Sequence, residues 1–511
     1  MSCPADLPVP LNVLHHQQPA LESLAPGQPA SSLPVANSTR PFWLHPSSEV
    51  NPLAREGSEG TLTADADICI IGSGITGVSA AYHISKYIKA NQDVGNLKVV
   101  VLEARDFCSG ATEGRNGGHL TPKTYAHFRK DVDRYGLMEA LKEVLVEERT
   151  VKELWQIIRE NSLEDTVDVV AEGRIELMFT EEAMKKDLAD YQAAKDAGAD
   201  VDSVEWFSRE EMEKSRGTLY PGVKIPGSNL WPLKLVTALY KLALNDTSHE
   251  ANACSLTLHT HTPVLSISSN TSATTKGRHW SLNTPRGPIS CGIVLHATNA
   301  YASHLLSHMW GPEGIIPTRG QIIATRASAS AETLGKEGWT GNQKLEYWFP
   351  RPVRNPKTDH NAERDKNLHP LVILGGGREV TSPKFELYEV DDSVVNKDIS
   401  DVLRKFLPAV FPGKFETGVE PEWEWTGIMG FTKTGAPFVG PVLDPQSPNS
   451  ASFIGQYIAA GYTGHGMPRA YACAEAVVGL IMHELRGGKR QDWSPPEWLP
   501  KHYLTWERTR R

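Results

Sequence analysis

Apolar residues cluster abruptly from Asp67 onward. Ile68, Cys69, Ile70 and Ile71 form an unbroken run, which predicts a strand buried on both faces, followed by a glycine turn and a helix-compatible segment through Ile88. Lys98 to Leu102 supplies a second buried strand, so the three pieces make a βαβ unit. Phe128 to Asn161 reads as an amphipathic helix, with Leu137, Leu141, Val144, Leu145, Leu154 and Ile158 set among charges. Strand patterns return at Thr262 to Ile267 and at Ile293 to Ala297, the latter ending in Thr298-Asn299-Ala300. Sheet strands that resume after so long an insertion imply a discontinuous domain. A last helix-compatible run extends from Pro468 to Leu485. Two tracts break the pattern. Residues 1 to about 60 carry ten prolines between Pro4 and Pro52, a density expected to forbid regular structure and to leave an extended arm, with Phe42, Trp43 and Leu44 as its anchors. Asn355 to Asn367 is polar and reads as a surface loop.

Composition narrows the class. A chain of 511 residues is long enough for two interleaved domains. The 52 basic and 61 acidic residues give a net charge of −9 with no basic face, which argues against a nucleic-acid partner. Cysteines 3, 69, 108, 254, 291 and 473 show no CxxC pair and no metal-ligand spacing, so no metal is expected and a reducing compartment fits. Without a signal-peptide pattern or a run of ~18 apolar residues, the expectation is a cytoplasmic enzyme with no membrane partner.

The chemistry begins at Gly72-Ser73-Gly74-Ile75-Thr76-Gly77, a GxGxxG placed directly between a buried strand and a helix. The first glycine makes the tight turn, the second lets backbone approach a diphosphate, and the third permits close helix packing. The helix N-terminus then offers free N–H groups and a partial positive charge. Glu103 closes the second strand 26 residues beyond Gly77, where a carboxylate can accept both ribose hydroxyls. These features leave NAD and FAD both open. Two small-residue stretches, Cys108 to Thr112 and Arg115 to His119, favour close approach of backbone to a large ring, where an NAD domain would continue into a helix. Far downstream, Gly461-Tyr462-Thr463-Gly464-His465-Gly466-Met467-Pro468 precedes a helix whose positive end would stabilise the charge of a reduced flavin.

Ile68 to Gly77, Glu103-Ala104-Arg105, Ser109 to His119, Trp425 to Gly440 and Gly461 to Met467 together resemble the D-amino-acid-oxidase-type flavoenzyme family, nearest its sarcosine-oxidase and γ-glutamylputrescine-oxidase branches and fungal members of them. The resemblance implies an α/β fold: a Rossmann-type, glutathione-reductase-like FAD-binding domain (62–128, 229–300 and 430–490) interleaved with an antiparallel-sheet substrate domain (129–228 and 301–429). Residues 1–61 form the arm and 491–511 a C-terminal tail. FAD is implied on Gly72, Ser73, Gly74, Ile75, Thr76, Gly77, Glu103, Ala104, Arg105, Ser109, Gly110, Ala111, Thr112, Asn116, Gly117, Gly118, Val264, Gly461, Tyr462, Gly464, His465, Gly466 and Met467. Leu345 to Pro350 and Leu371 to Gly376 become roof strands above the flavin, with Tyr347 facing it and Trp348 in the core. His465, Tyr347 and Arg319 are the implied catalytic groups, and Arg378 and His119 weaker candidates.

The implied reaction is hydride transfer from a carbon next to nitrogen of a small amine or amino-acid derivative to flavin N5, with hydrolysis of the imine and dioxygen as acceptor. A flavin-binding module without turnover, or oxidation of a C–OH substrate, is the alternative. Two departures from the family pattern matter. Sarcosine oxidases carry a substrate-carboxylate lysine after Gly-His-Gly and an aromatic, whereas this chain has Met467-Pro468, with Arg469 displaced by about 100° around the helix, so an amine lacking an adjacent carboxylate is expected over a simple α-amino acid. Glu113-Gly114-Arg115 stands where related dehydrogenases attach flavin through histidine, so FAD is expected to be noncovalent. Gly74→Val should abolish FAD retention, because its side chain would occupy diphosphate space; normal flavin content in that variant would contradict the assignment.

Overall fold

The computed structural model describes residues 6–508 apart from 24–30, 46, 92–95, 111, 249–253, 271–276, 354–368 and 445–450. The loop expected at Asn355 to Asn367 therefore lies outside the described residues.

The apolar run becomes the central strand of the first sheet. Asp65–Ile71 pairs in parallel with Lys98–Leu102 on one side and Gly287–His296 on the other. Alternation then sorts its side chains. Ile68, Ile70, Val99 and Val101 enter the main core beneath helices Ile75–Ala90, Pro232–Ser248 and Ala470–Leu485, while Cys69, Ile71, Val100 and Leu102 enter a second core. That second core is closed by the antiparallel strands Ser266–Ser269 and Trp280–Thr284. Ser255–His259 extends the sheet at one edge, and Gln456–Ala460 followed by antiparallel Phe438–Pro441 extends it at the other. Its strands come from three separated stretches of sequence.

The second sheet has eight strands in the order Trp423–Phe431, Ile316–Arg326, Leu371–Gly375, Glu346–Pro350, Gly338–Gly341, Arg174–Leu177, Gly222–Ile225 and Glu205–Phe207. All its pairings are antiparallel except Gly338–Gly341 with Arg174–Leu177, which is parallel. A parallel pair needs a long connection, and here the chain between these two strands passes through the first sheet. Among the described residues, no helix is long and apolar enough to cross a membrane.

Three expectations need correction. The helix expected over 128–161 is two helices, Phe128–Tyr135 and Leu137–Glu160, separated at Gly136, whose φ of +85° breaks the ladder. The arm is not wholly irregular: Leu14–Glu22 is helical even with Pro19 inside it, because tertiary packing of Leu21 against Phe385, Leu387 and Phe431 outweighs one lost hydrogen bond. The described part of the C-terminal tail, 491–508, is packed rather than separate, since Leu499, Tyr503 and Leu504 join the main core.

Trp43 anchors the arm. It is 0% exposed, lies parallel to Phe349 at 6.4 Å and meets Trp231 edge-on at 5.6 Å, while its Nε1–H donates to the Asn116 carbonyl at 2.6 Å. Trp43→Ala should destabilise the protein by about 3–5 kcal/mol. An unshifted denaturation midpoint would remove the arm from the core.

Candidate active site

The chain leaves the central strand through Gly72, whose φ of +111° would strain any side chain. A Cβ on Gly77 would lie 2.0 Å from the Gly72 carbonyl oxygen, so the third glycine is what lets the helix close on its turn. Glu103 is fixed at the end of the neighbouring strand. Its carboxylate accepts from Ser73 N–H at 3.0 Å, Ser73 Oγ–H at 2.7 Å and Arg105 N–H at 3.0 Å.

The late glycine loop reaches this turn directly. Thr76 Oγ–H donates to the Tyr462 hydroxyl at 3.0 Å, joining positions 386 residues apart. Thr463, at φ +53°, and Gly464, at φ +81°, carry the loop to His465, and the helix starts at Ala470 after Arg469. Behind His465 sits a buried charged group. Glu147 Oε2 accepts from His465 Nδ1 at 3.3 Å, and Glu147 Oε1 from Arg469 Nε at 2.6 Å. Glu143, one turn earlier, takes Arg469 Nη2 at 3.2 Å, His502 Nε2 at 2.6 Å and Tyr503 Oη at 2.8 Å. Burial would raise the Glu147 carboxyl, but the charges of His465 and Arg469 outweigh it and hold it down at about 2. For His465, burial outweighs the pull of Glu147, so its pKa falls below the ordinary histidine value and the imidazole is neutral at neutral pH.

The second sheet roofs the space between these segments. Tyr347 lies against Gly117, where a Cβ would stand 2.2 Å from the tyrosine ring, and meets His119 edge-on at 5.8 Å. Burial lifts the Tyr347 hydroxyl to about 12 and depresses His119 to about 3, so both are uncharged. A cavity of about 520 Å³ runs from Glu103, Ala104 and Val264 past Gly74, Ile75 and Thr76 to Gly117, Tyr347 and His465. Gly72, Gly110, Thr112, Asn116, Tyr462, Gly464, Gly466 and Met467 also line it.

Other expected residues stand elsewhere. Ser73, Gly77, Ser109, Gly118 and Gly461 shape the turns without lining the cavity, and Ala111 lies outside the described residues. Arg105 is turned away onto Asp392 at 3.0 Å and the Val35 carbonyl at 3.1 Å, tying the arm to the cofactor domain. Arg319 does not reach the cavity: its guanidinium is paired with Glu386 at 2.6 Å and donates to the Asp391 carbonyl at 3.0 Å, which makes it a structural ion pair. Trp348 is buried in the other core, parallel to Trp339 at 6.1 Å.

Sequence reading overlooked Arg174, Glu147 and the arm residues Leu14, Gln17, Leu33 and Pro34, all but Glu147 lining the cavity. Only Glu147 left a signal, as an acid on the helix turn that also carries Val144, Val146 and Thr150 inward.

Known proteins share the overall architecture of this chain. A probable oxidoreductase, OrdL, of Haemophilus influenzae is 26% identical over 433 residues, covering 81% of this chain and 83% of the relative. Glycine oxidase from Geobacillus kaustophilus superposes with a TM-score of 0.57 at 17% identity, over 84% of this chain and 96% of that one. L-amino acid deaminase from Proteus vulgaris gives 0.59 at 15% identity, over 88% and 98%. At such identities the two structures establish a shared fold.

The residues present fit FAD. Buried Tyr301 Oη and His304 Nε2, with no hydrogen-bond partner, border the cavity at its Glu103 and Val264 end, and the helix beginning at Ile75 opens on its middle. Glu113 is the discordant group. Buried in the same wall, its Oε2 accepts from Ile75 N–H at 3.3 Å, where a diphosphate would bind, and burial raises its carboxyl above the ordinary range. A diphosphate beside it would raise that pKa further, so FAD affinity should fall as pH rises through it, and Glu113→Gln should flatten the dependence. FAD titration of the apoprotein across pH checks this; a wild-type affinity that is flat or climbs with pH would exclude it. Residues 67–480, from the central strand into the last helix, match the DAO family of FAD-dependent oxidoreductases, and the chain belongs to that family.

Proposed function

We propose that this oxidoreductase breaks a C–H bond next to nitrogen in a small amine or amino-acid derivative, on noncovalently held FAD and with dioxygen as acceptor. The observation that supports it is the single cavity that joins the Glu103 and glycine-turn end to the neutral pair His465 and Tyr347 under the roof. Glycine oxidase and L-amino acid deaminase, which share the fold, are named for amino-acid substrates. Bound FAD supplies the two-electron acceptor for hydride.

The chain's own groups prepare the amine. A substrate arrives as an ammonium ion, whose nitrogen has no lone pair to assist hydride departure. Because Glu147 is a carboxylate, His465 must donate Nδ1–H to it, which leaves Nε2 as the basic atom. Nε2 takes the ammonium proton, and Glu147, with no exposed surface, stabilises the resulting imidazolium. Tyr347 keeps its proton and can donate a hydrogen bond. The apolar walls from Leu345, Ile428, Met429 and Phe431 keep water from the reacting carbon.

An anaerobic panel of primary and secondary amines should bleach the flavin, with peroxide released on admitting air; a flavin inert to every member would end the proposal. His465→Ala should slow reduction by about 100-fold while FAD affinity changes little. Wild-type reduction should slow as pH falls and His465 gains its proton, a limb missing from the variant. An unchanged reduction rate would return His465 to a packing role. Flavin remaining with acid-precipitated protein would overturn noncovalent attachment.

A further inference from the structure

The geometry points to a substrate-recognition role for the N-terminal helix: Gln17, together with Arg378, binds a carboxylate carried by the amine substrate. The inference rests on the reading of this cavity as the substrate site, and it adds a determinant from a segment that precedes the family match over 67–480.

Arg378 follows the roof strand Leu371–Gly375 and Gly377, whose φ of +76° turns the chain. Its guanidinium lies 4.6 Å from the Phe431 ring centre and lines the cavity. Nη1 is buried with no hydrogen-bond partner, and among the described residues no carboxylate pairs with this arginine. The acids behind it are otherwise engaged: Glu346 Oε1 accepts from Gly377 N–H at 3.1 Å and Glu379 Oε1 from Asn342 Nδ2 at 3.4 Å. Burial and the neighbouring Glu379 also push the Glu346 carboxyl well up, which weakens it as a counter-ion for the arginine.

The helix Leu14–Glu22 covers this end. Val13, Gln17, Ala20 and Leu21 share one face by their spacing, and Val13, Ala20 and Leu21 pack in the cluster that holds Phe431. Gln17 therefore faces the same wall as Arg378. Its Nε2 is buried, borders the cavity and has no acceptor. The helix is fixed at its middle and at its C-terminal end, since Gln18 Nε2 donates to the Lys433 carbonyl at 3.2 Å and Tyr388 Oη–H to the Ser23 carbonyl at 3.2 Å. Two buried donors without acceptors, one of them cationic, line a part of the cavity that Phe431, Met429 and Ile428 also line. A planar carboxylate satisfies both, with a guanidinium N–H and an amide N–H as donors. The two residues after Gly464-His465-Gly466, Met467 and Pro468, bring no charged group to the cavity.

The test uses full-length, FAD-loaded protein titrated with valerate and with its neutral isostere valeramide, followed by the absorbance change of the bound flavin, with flavin content and melting temperature as folding controls. Valerate should bind at least about tenfold more tightly than valeramide. Arg378→Gln should remove that preference, Gln17→Ala should weaken valerate several-fold, and Gln17→Glu should weaken it further by repulsion, all with valeramide unchanged. Valerate binding that ignores both Gln17 variants, or that is lost only in Arg174→Gln, would overturn the inference. The two readings fail separately: this carboxylate pattern with a flavin inert to every amine would sink the oxidation proposal alone, and amine turnover without the pattern would sink this one alone.

Discussion

Everything in this molecule depends on bringing two helix N-termini to one slot. The helix beginning at Ile75 and the one beginning at Ala470 pack side by side in the main core, and Thr76 in the first bonds to Tyr462 in the loop that leads to the second. Each leading turn carries partial positive charge from its aligned peptide dipoles. Set together, they suit a ligand with a diphosphate at one end and an anionic ring at the other. The glycines permit this approach sterically; the parallel sheet beneath, with Gly287–His296 registered beside the central strand and Gln456–Ala460 beside Gly287–His296, enforces it.

A second constraint is electrostatic. Glu143 and Glu147 sit four residues apart on one helix, buried, and are paired with Arg469 and Lys123 and hydrogen-bonded to His465 and His502, from three other segments. Buried ion pairs contribute little net stability, because desolvation offsets their attraction. Their value here is positional. Removing one member would leave a charge stranded, so the long helix, the late loop and the C-terminal segment adopt one mutual arrangement, which aims His465 into the cavity.

The first βαβ unit was legible because a buried parallel strand, a glycine turn and a terminal acid are local in sequence and each answers one local requirement. The roof pair Tyr347 and Trp348 was also readable, since alternation sends neighbours to opposite faces and the structure places one in the cavity and the other in a core. Arg319 misled because an arginine at a strand looks alike whether it is free or paired. Its partner Glu386 lies 67 residues on, beyond any local pattern. Gln17 and Arg174 carried no signal at all, one in a proline-rich arm and the other at the start of a short strand.

Periodicity and glycine placement by themselves determined the fold class, the cofactor cradle and the family, because those depend on backbone conformation and on which face of an element is apolar. Only the tertiary structure decided which polar groups are free to act. Whether Arg105, Arg319 and Arg378 face solvent, a carboxylate or the cavity depends on contacts across domains, and a buried charge is available for chemistry only when the fold has left it unpaired.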